Sequence, residues 1–337
     1  NVINKEFLDS FQEAINKLQN EKNLKGVILT SAKKTFIAGG DIEMLYKIFD
    51  PEEAFKMSES SKKVMLEFET LGVPIAAAIN GTALGGGMEV ALTCHFRVSL
   101  KDTNIKFGFP EVTLGLLPGG GGVTRLVRLI GLEKALQFLL EGNQINPDKA
   151  KEEGLIHDIA SDLEGLLKKS REWILKNPES KQPWHKKGAN IPGGNPQSPS
   201  LVQKLIMAPI LLLKKTWGHY PAGKAIMASA VEGSMVDFET ASRIESRAFA
   251  EVVTSKECKN ILKVTWFQLN EIGQGVGRPK NIPPKETKKV GIIGAGMMGH
   301  GITYVTALSG IETVMIDRSE EALKKGYKKI ESLLEED

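Results

Sequence analysis

Short apolar runs that alternate with helical segments constrain the fold of this chain more than any other feature. Residues 25–30, 74–79 and 96–100 have the composition of short buried strands, and residues 7–18 carry apolar side chains on one helical face. Segments long enough for helices separate the strands, and neighbouring parallel strands require such a crossover. The pattern therefore predicts an α/β fold whose main sheet is mostly parallel.

Composition and charge argue against several classes of protein. The chain has 337 residues, of which 41% are hydrophobic and 25% charged, which is ordinary for globular domains and enough for more than one. A net charge of +3 gives no footprint for nucleic acid, so none is predicted as a partner. Cys94 and Cys258 are isolated and the five histidines form no ligand set, so we predict no disulfide, no metal site and a reducing compartment.

The longest apolar stretch is residues 205–213, which contains Pro209. A bilayer span needs about 20 apolar residues, so this stretch predicts no transmembrane segment. The flanking Lys204, Lys214 and Lys215 would allow docking on a membrane surface, whereas the length of the stretch favours a buried or subunit-facing helix. No apolar run typical of a secretory signal follows the opening residues.

Two segments rich in proline and glycine predict the domain organisation. Residues 177–200 form a long irregular segment, and a second break begins at residue 273 and includes Pro284. We therefore predict three parts, which are a first domain over residues 1–272, a linker over 273–285 and a second domain over 286–337. The second domain is too short to be complete, so only its opening unit is expected.

The second domain opens with a glycine-rich turn. Gly294, Gly296 and Gly299 follow a predicted strand and open a predicted helix, and Asp317 ends the next strand, 23 residues after Gly294. Such glycines allow a pyrophosphate to approach the positive end of the helix, and the acid can bind ribose hydroxyls, which favours NAD over NADP. A glycine turn in an unrelated α/β unit is the alternative.

Two glutamates lie beside glycine-rich turns in the first domain. Glu89 comes two residues after three consecutive glycines, and Glu111 precedes the glycine run at residues 119–122. Paired carboxylates can exchange protons at a carbon next to a carbonyl group, and burial would raise their pKa values towards neutrality. The structural alternative is a pair of buried glutamates that only accept backbone hydrogen bonds.

The glycines also predict a site for a negatively charged oxygen. A helix begins at residues 85–87, and residues 36–42 form a small-residue turn ahead of another helical segment. Backbone N–H groups from these two segments could meet at one oxygen, such as a thioester carbonyl that becomes an enolate. Close packing of a helix against a strand is the alternative for each glycine run.

Several of these motifs, in this order, resemble a known family. Residues 38–42, 80–89 and 110–119 are similar to the enoyl-CoA hydratase (crotonase) superfamily, and residues 294–317 resemble the start of 3-hydroxyacyl-CoA dehydrogenase. Together they resemble the multifunctional α-subunit of fatty-acid β-oxidation. The resemblance implies a crotonase-like (ββα spiral) domain, a helical linker and the first βαβ unit of a Rossmann domain.

The resemblance also implies roles for individual residues. Glu111 would exchange a proton with the α-carbon, and Glu89 would deprotonate the water that attacks the β-carbon. The N–H groups of Gly40 and Gly86 would form the oxyanion hole, and that of Gly119 would help to hold the water. The enzyme would add water to trans-2-enoyl-CoA and oxidise the resulting 3-hydroxyacyl-CoA with NAD.

The same resemblance places the CoA adenine at the turn that contains Ala38, Asp41 and Ile42, largely through main-chain atoms. Two departures from the family pattern stand out, since Gly40 replaces the usual alanine and His95 the usual aspartate; we interpret His95 as structural. The family's first strands are expected before residue 1, and the dehydrogenase's catalytic histidine and glutamate are expected after residue 337.

Alternatives of function and context remain open from the sequence. Enoyl-CoA isomerase activity at the same carboxylates, a non-catalytic assembly module and a nucleic-acid-binding relative are the competing hypotheses. A thiolase subunit and a homo-oligomer are expected from the family alone. The expected location is a bacterial cytoplasm, with the mitochondrial matrix as the alternative. The sequence does not predict the preferred acyl chain length.

Overall fold

The computed structural model describes residues 1–279, 281–283 and 285–336. The chain divides into two compact units, Asn1–Gln274 and a second unit from Gly275 onward, and each is described by itself. Pro284, which the sequence analysis counted in the linker, lies outside the described residues, as do Lys280 and Asp337.

The first unit contains seven named strands and thirteen named α-helices among the described residues. The strands are β1 (Val27–Leu29), β2 (Ile75–Ile79), β3 (Ala83–Leu84), β4 (Phe96–Leu100), β5 (Phe107–Gly108), β6 (Gln144–Ile145) and β7 (Asp158–Ala160). The helices are α1 (Lys5–Gln19), α2 (Ile42–Tyr46), α3 (Pro51–Glu69), α4 (Gly86–Thr93), α5 (Gly122–Ile130), α6 (Leu132–Glu141), α7 (Pro147–Glu152), α8 (Leu163–Lys176), α9 (Pro199–Thr216), α10 (Pro221–Gly233), α11 (Phe238–Val253), α12 (Lys256–Leu262) and α13 (Leu269–Gly273). Short 3₁₀ helices occupy Pro110–Leu114 and Pro183–His185, and a π-helical stretch, Lys263–Gln268, joins α12 to α13.

The main sheet has four strands in the order β1-β2-β4-β7, and every neighbouring pair is parallel. This confirms the predicted parallel sheet. All five residues of β2 are buried, because helices and neighbouring strands cover both of its faces. The expectation of a buried strand at residues 25–30 was wrong in part, since β1 covers only Val27–Leu29 and all three residues are partly exposed. The reason is its position at the edge of the sheet.

A smaller sheet positions the site. It has the order β3-β5-β6, in which β3 pairs with β5 in parallel and β5 pairs with β6 antiparallel. Helix α4 starts directly after β3, and the N–H of Gly85 donates to the carbonyl oxygen of Gly108 at 2.9 Å. The glycine turn before α4 is thereby fixed beside the end of β5, three residues before Glu111.

Helix α9 packs on the core with one side only. Leu201 is its one buried residue within the described chain, and Ile206, Ile210, Leu211 and Leu213 are each more than half exposed. The prediction of a buried helix was therefore wrong in part, because Leu205, Ala208 and Leu212 pack against the core while the other side of the helix is exposed. The alternative of a subunit-facing helix stays a prediction. Among the residues that the structure describes, no helix has the length and apolar character needed to cross a membrane.

The second unit has a strand–helix–strand–helix order. It consists of β8 (Lys289–Ile293), α14 (Met297–Leu308), β9 (Glu312–Ile316) and α15 (Glu320–Glu336). The two strands pair in parallel over all five residues, from Lys289 opposite Glu312 to Ile293 opposite Ile316. A parallel pair joined by a helix is the βαβ unit that the glycine motif predicted.

Candidate active site

Glu89 lies in the first turn of α4 and faces the loop before α5. Its Oε1 accepts the N–H groups of Gly120 and Gly122 at 2.7 and 2.8 Å, and the residue is 5% exposed. A Cβ on Gly120 would stand 2.7 Å from Glu89 Oε2, so glycine is what allows the loop to approach this closely. We call residues 119–122 the glycine loop. It fixes one carboxylate oxygen, and Oε2 has no hydrogen-bond partner among the described residues.

Glu111 is the second residue of the short 3₁₀ helix that follows β5, and its side chain approaches the glycine turn before α4. A Cβ on Gly85 would stand 2.4 Å from Glu111 Oε1, and Gly85 has φ 51°, so the turn and the carboxylate are in close contact. The Oε2 atom of Glu111 is enclosed and has no hydrogen-bond partner within the described part of the chain. An enclosed carboxyl oxygen without a partner is costly, and it is typical of a group that acts on a ligand.

The pKa values of both carboxyl groups are raised. Burial, followed by the negative charge of Glu245, raises the pKa of Glu89 to about 7, although the Gly122 and Gly120 N–H groups oppose the shift. Burial and then the charge of Glu89 raise the pKa of Glu111 well above its ordinary value. Ionisation of Glu89 therefore favours the protonated form of Glu111. Both carboxyls hold a proton to higher pH than an exposed glutamate does, which suits general acid–base chemistry.

Two unbonded amides meet beside these carboxylates. Gly86 is the first residue of α4, so its N–H has no acceptor within the helix. The N–H of Gly40 likewise has no acceptor among the described residues, and a Cβ on Gly86 would stand 3.4 Å from the Gly40 nitrogen. Two free donors from separate segments therefore lie close together, and an oxyanion site requires such a pair.

The residues predicted to bind the CoA adenine lie in the turn at residues 38–42. The side chain of Asp41 caps α2 by accepting the N–H groups of Glu43 and Met44 at 2.9 and 3.1 Å. The N–H groups of Ala38 and Asp41 donate to Asn1 and Ile3, so the turn at residues 38–42 is anchored to the first residues of the chain. Ala38 is exposed and Ile42 partly exposed. This leaves the outer surface of the turn open to a ligand.

Gly119, which the resemblance predicts to position the water, is not one of the residues that bind Glu89. The amides on Glu89 belong to Gly120 and Gly122, whereas the N–H of Gly119 has no acceptor within the described residues. The carbonyl oxygen of Gly119 accepts Ser58 Oγ at 2.6 Å. A Cβ on Gly119 would stand 2.5 Å from the Phe249 ring, so this glycine also serves close packing.

Sequence reasoning missed a third buried carboxylate, Glu245, which is 0% exposed on α11. Its Oε1 accepts the Gly121 N–H at 2.6 Å, and its Oε2 accepts the N–H and hydroxyl of Thr124, each at 2.8 Å. Lys62, 5% exposed, lies 4.0 Å away and donates to the carbonyl oxygen of Ser242. One signal was available, since Glu245 stands on the buried face of α11 four residues before Phe249.

A buried ion pair lies behind the glycine loop. Arg125 bonds to Glu69 at 2.6 and 2.7 Å and also donates to the carbonyl oxygen of Gly120 at 3.2 Å. Trp184 and His185 share the other oxygen of Glu69 at 2.6 and 3.0 Å.

His95, interpreted as structural, accepts the Ile75 N–H through Nδ1 at 3.0 Å. Burial lowers the pKa of His95 to about 4, so it stays neutral.

The glycine turn of the second unit has the shape that a dinucleotide needs. Gly294 has φ 101°, and a Cβ on Gly294 or Gly296 would meet nothing within 4 Å, so the space over the start of α14 is open. A Cβ on Gly299 would stand 1.7 Å from the Gly294 carbonyl oxygen, so this glycine permits close packing. Asp317 accepts the Ala295 N–H at 2.7 Å through Oδ2. The acid therefore stabilises the turn and lies beside it, and these residues fit a pyrophosphate and ribose.

A parallel α/β unit with two convergent amides beside two coupled carboxyls is typical of enzymes that transfer protons next to a carbonyl group. Residues 1–186 match the family described as enoyl-CoA hydratase/isomerase, and the chain belongs to this family. Residues 289–337 match a second family, 3-hydroxyacyl-CoA dehydrogenase, NAD binding domain. These matches agree with the resemblance and with the predicted fold class.

Individual relatives support the same assignment. The fatty acid oxidation complex subunit alpha of Shewanella frigidimarina is 35% identical over 99% of this chain and 47% of its own length. The corresponding protein of Shewanella sp. strain ANA-3 is 36% identical over 91% of this chain and 43% of its own. The chain thus spans about half the length of these relatives. Human mitochondrial delta3-delta2-enoyl-CoA isomerase shares the fold, with a TM-score of 0.56 and 21% identity over 80% of this chain and 90% of that one.

Proposed function

We propose that the first unit hydrates trans-2-enoyl-CoA thioesters. The observation that carries the proposal is the enclosed Oε2 of Glu111, which has no partner among the described residues. The charge of Glu89 helps to raise the pKa of this carboxyl. A structural glutamate would have its oxygens satisfied, as Glu245 does. Two carboxyls with opposed protonation suit hydration, which needs a base for water and an acid for carbon.

The proposed reaction assigns one step to each of these groups. Ionised Glu89 would take a proton from water through Oε2, and the hydroxyl would add to the β-carbon. The electron pair of the double bond would move towards the thioester oxygen, where the N–H groups of Gly40 and Gly86 stabilise the enolate. Protonated Glu111 would then give its proton to the α-carbon. The product is a 3-hydroxyacyl-CoA.

A second activity is proposed for the parent of this chain. The second unit would supply the nucleotide site of an NAD-dependent 3-hydroxyacyl-CoA dehydrogenase, held by Gly294, Gly296, Gly299 and Asp317. NAD supplies a hydride acceptor when bound. The turn at Ala38, Asp41 and Ile42 would bind the CoA adenine, and Gly119 would hold the water. The boundary between the two activities would fall in residues 273–285.

The partners and location are proposed from the relatives. Subunit names such as fatty acid oxidation complex subunit alpha support assembly with a further subunit, for which a thiolase is the proposal. Homo-oligomer formation is proposed as well. The bacterial origin of the relatives favours a bacterial cytoplasm over the mitochondrial matrix.

The test is the loss of the crotonyl-CoA absorbance on hydration by the full chain. Glu111→Gln should lower kcat by about 100- to 10,000-fold, the usual contribution of a general acid. Exposed Glu251→Gln is the matched control and should keep normal turnover. Turnover by Glu111→Gln equal to that of the unmodified chain would remove this residue from the mechanism.

The isomerase is the second candidate, because the unpartnered oxygen of Glu111 could move one proton between carbons by itself. A 3-enoyl-CoA substrate separates the two activities. Hydration requires both carboxyls, whereas a one-residue isomerase would keep its rate in Glu89→Gln. Conversion of the 3-enoyl substrate by a chain that does not hydrate crotonyl-CoA would replace the hydratase proposal.

A further inference from the structure

The glycine loop is held by two carboxylates from different parts of the chain. Its amides alternate between them, since Gly120 and Gly122 donate to Glu89 while Gly121 donates to Glu245, which also accepts the N–H of Thr124 just after the loop. The N-cap of α5 is Gly121, which has no side chain to accept a hydrogen bond. The two carboxylates accept the N–H groups at the start of the helix instead. Removal of either one leaves buried N–H groups without an acceptor.

Helix α11 contacts the glycine loop directly through Glu245 and Phe249, and through Ser58 by way of Ser246. Glu245 binds the amides, and Ser246 Oγ lies 3.0 Å from Ser58 Oγ, which donates to the Gly119 carbonyl oxygen. Phe249, one turn later, packs against the Cα of Gly119 so closely that a Cβ there would stand 2.5 Å from its ring. The loop that fixes Glu89 is therefore shaped by α11.

We propose that Glu245 is a positioning residue for hydration, which holds the glycine loop so that Glu89 Oε1 stays fixed and Oε2 faces the attacking water. This rests on the proposed function. Helix α11 spans residues 238–253, beyond the residues 1–186 that match the hydratase family. The segment between the two family matches is thereby assigned a part in the first active site.

Glu245 affects Glu89 in a second way. Besides the hydrogen bonds that hold the glycine loop, its negative charge raises the pKa of Glu89. The other charged groups around Glu89 are Lys62 from α3, Arg125 from α5 and Glu111 from the 3₁₀ helix after β5. Among these, Arg125 lowers the pKa of Glu89, while the charge of Glu245 raises it. Loss of the Glu245 charge should therefore let Glu89 ionise at lower pH.

The test compares Glu245→Gln, Glu245→Asp and the control Glu251→Gln in the full chain, with crotonyl-CoA as substrate. Glu245→Gln should lower kcat by about 10- to 100-fold with a small change in KM, as misplacement of a reacting group does. The acid limb of its kcat/KM profile should move to lower pH. Glu245→Asp keeps the charge, so its acid limb should stay in place while kcat falls. The control should match the unmodified chain.

Hydrogen exchange of the peptide that contains residues 119–124 provides a readout that does not depend on turnover. Exchange should rise in Glu245→Gln and remain unchanged in Glu251→Gln. Unchanged exchange together with an unshifted acid limb would overturn the proposal, even if the melting temperature falls. If the unmodified chain does not hydrate crotonyl-CoA, the hydratase proposal fails, and unchanged exchange in Glu245→Gln would then overturn the positioning role separately.

Discussion

The free amide of Gly40 lies beside Gly86, so close that a Cβ on Gly86 would stand 3.4 Å from the Gly40 nitrogen. The pair joins two segments that are far apart in sequence. The turn at Gly40 is anchored to the first residues of the chain, and Gly86 is fixed by the end of β3. This relationship creates the donor pair that the proposed chemistry requires.

Gly86→Ala should impair catalysis more than stability. Its new Cβ would enter the space between the two amides, with the flexible Ile3 Cδ1 at 2.8 Å as its other near neighbour. Loss of a well-aligned donor costs about 2.7–4 kcal/mol, which predicts a kcat roughly 100- to 1000-fold lower on crotonyl-CoA. Gly273→Ala, where the added carbon meets nothing within 4 Å, is the control. An unimpaired Gly86→Ala would mean that the oxygen binds elsewhere.

Glu89→Gln should stabilise the chain at pH 8. The pKa of Glu89 is raised to about 7 in the folded state, so keeping this carboxyl ionised there opposes folding. The cost is absent below the ordinary glutamate pKa, grows as the pH rises towards 7 and is then constant, reaching roughly 3 kcal/mol. Gln retains the Oε1 acceptor without the charge.

Urea unfolding at pH 8 and pH 4.5 checks this prediction. The free energy of unfolding of Glu89→Gln should exceed that of the unmodified chain at pH 8, and the difference should vanish at pH 4.5. Glu251→Gln should show no such pH-dependent gain. Equal stability of Glu89→Gln and the unmodified chain at both pH values would show that the folded protein does not penalise the ionised carboxylate.

Gly299→Ala should disrupt the glycine turn of the second unit. A Cβ there would stand 1.7 Å from the backbone carbonyl oxygen of Gly294, which cannot yield without moving the turn. Titration calorimetry with NAD should show a loss of affinity of at least about tenfold, or about 1.4 kcal/mol. Gly301→Ala, on the same helix and free of near neighbours, should bind as the unmodified chain does. Comparable NAD affinity in the two variants would contradict the proposed site.

The sequence predicted local features well, and the structure explains which features it could not predict. Glu89 and the glycine turns carry their signals within a few residues, and α3 begins after Asp50 as capping chemistry indicates. Glu245 binds amides more than 120 residues earlier in the chain, and no local pattern specifies such a partner. The exposure of β1 depends on its place at the sheet edge, which only the strand order determines.

The central claim is that Glu89 and Glu111 act as one acid–base unit on a single substrate. The most direct measurement is a double-mutant cycle of kcat/KM for crotonyl-CoA hydration, with Glu89→Gln, Glu111→Gln and the double variant. Because residues that act as a unit are non-additive, each single variant should lose nearly as much activity as the double variant. Losses that multiply, or a single variant with full activity, would contradict the account.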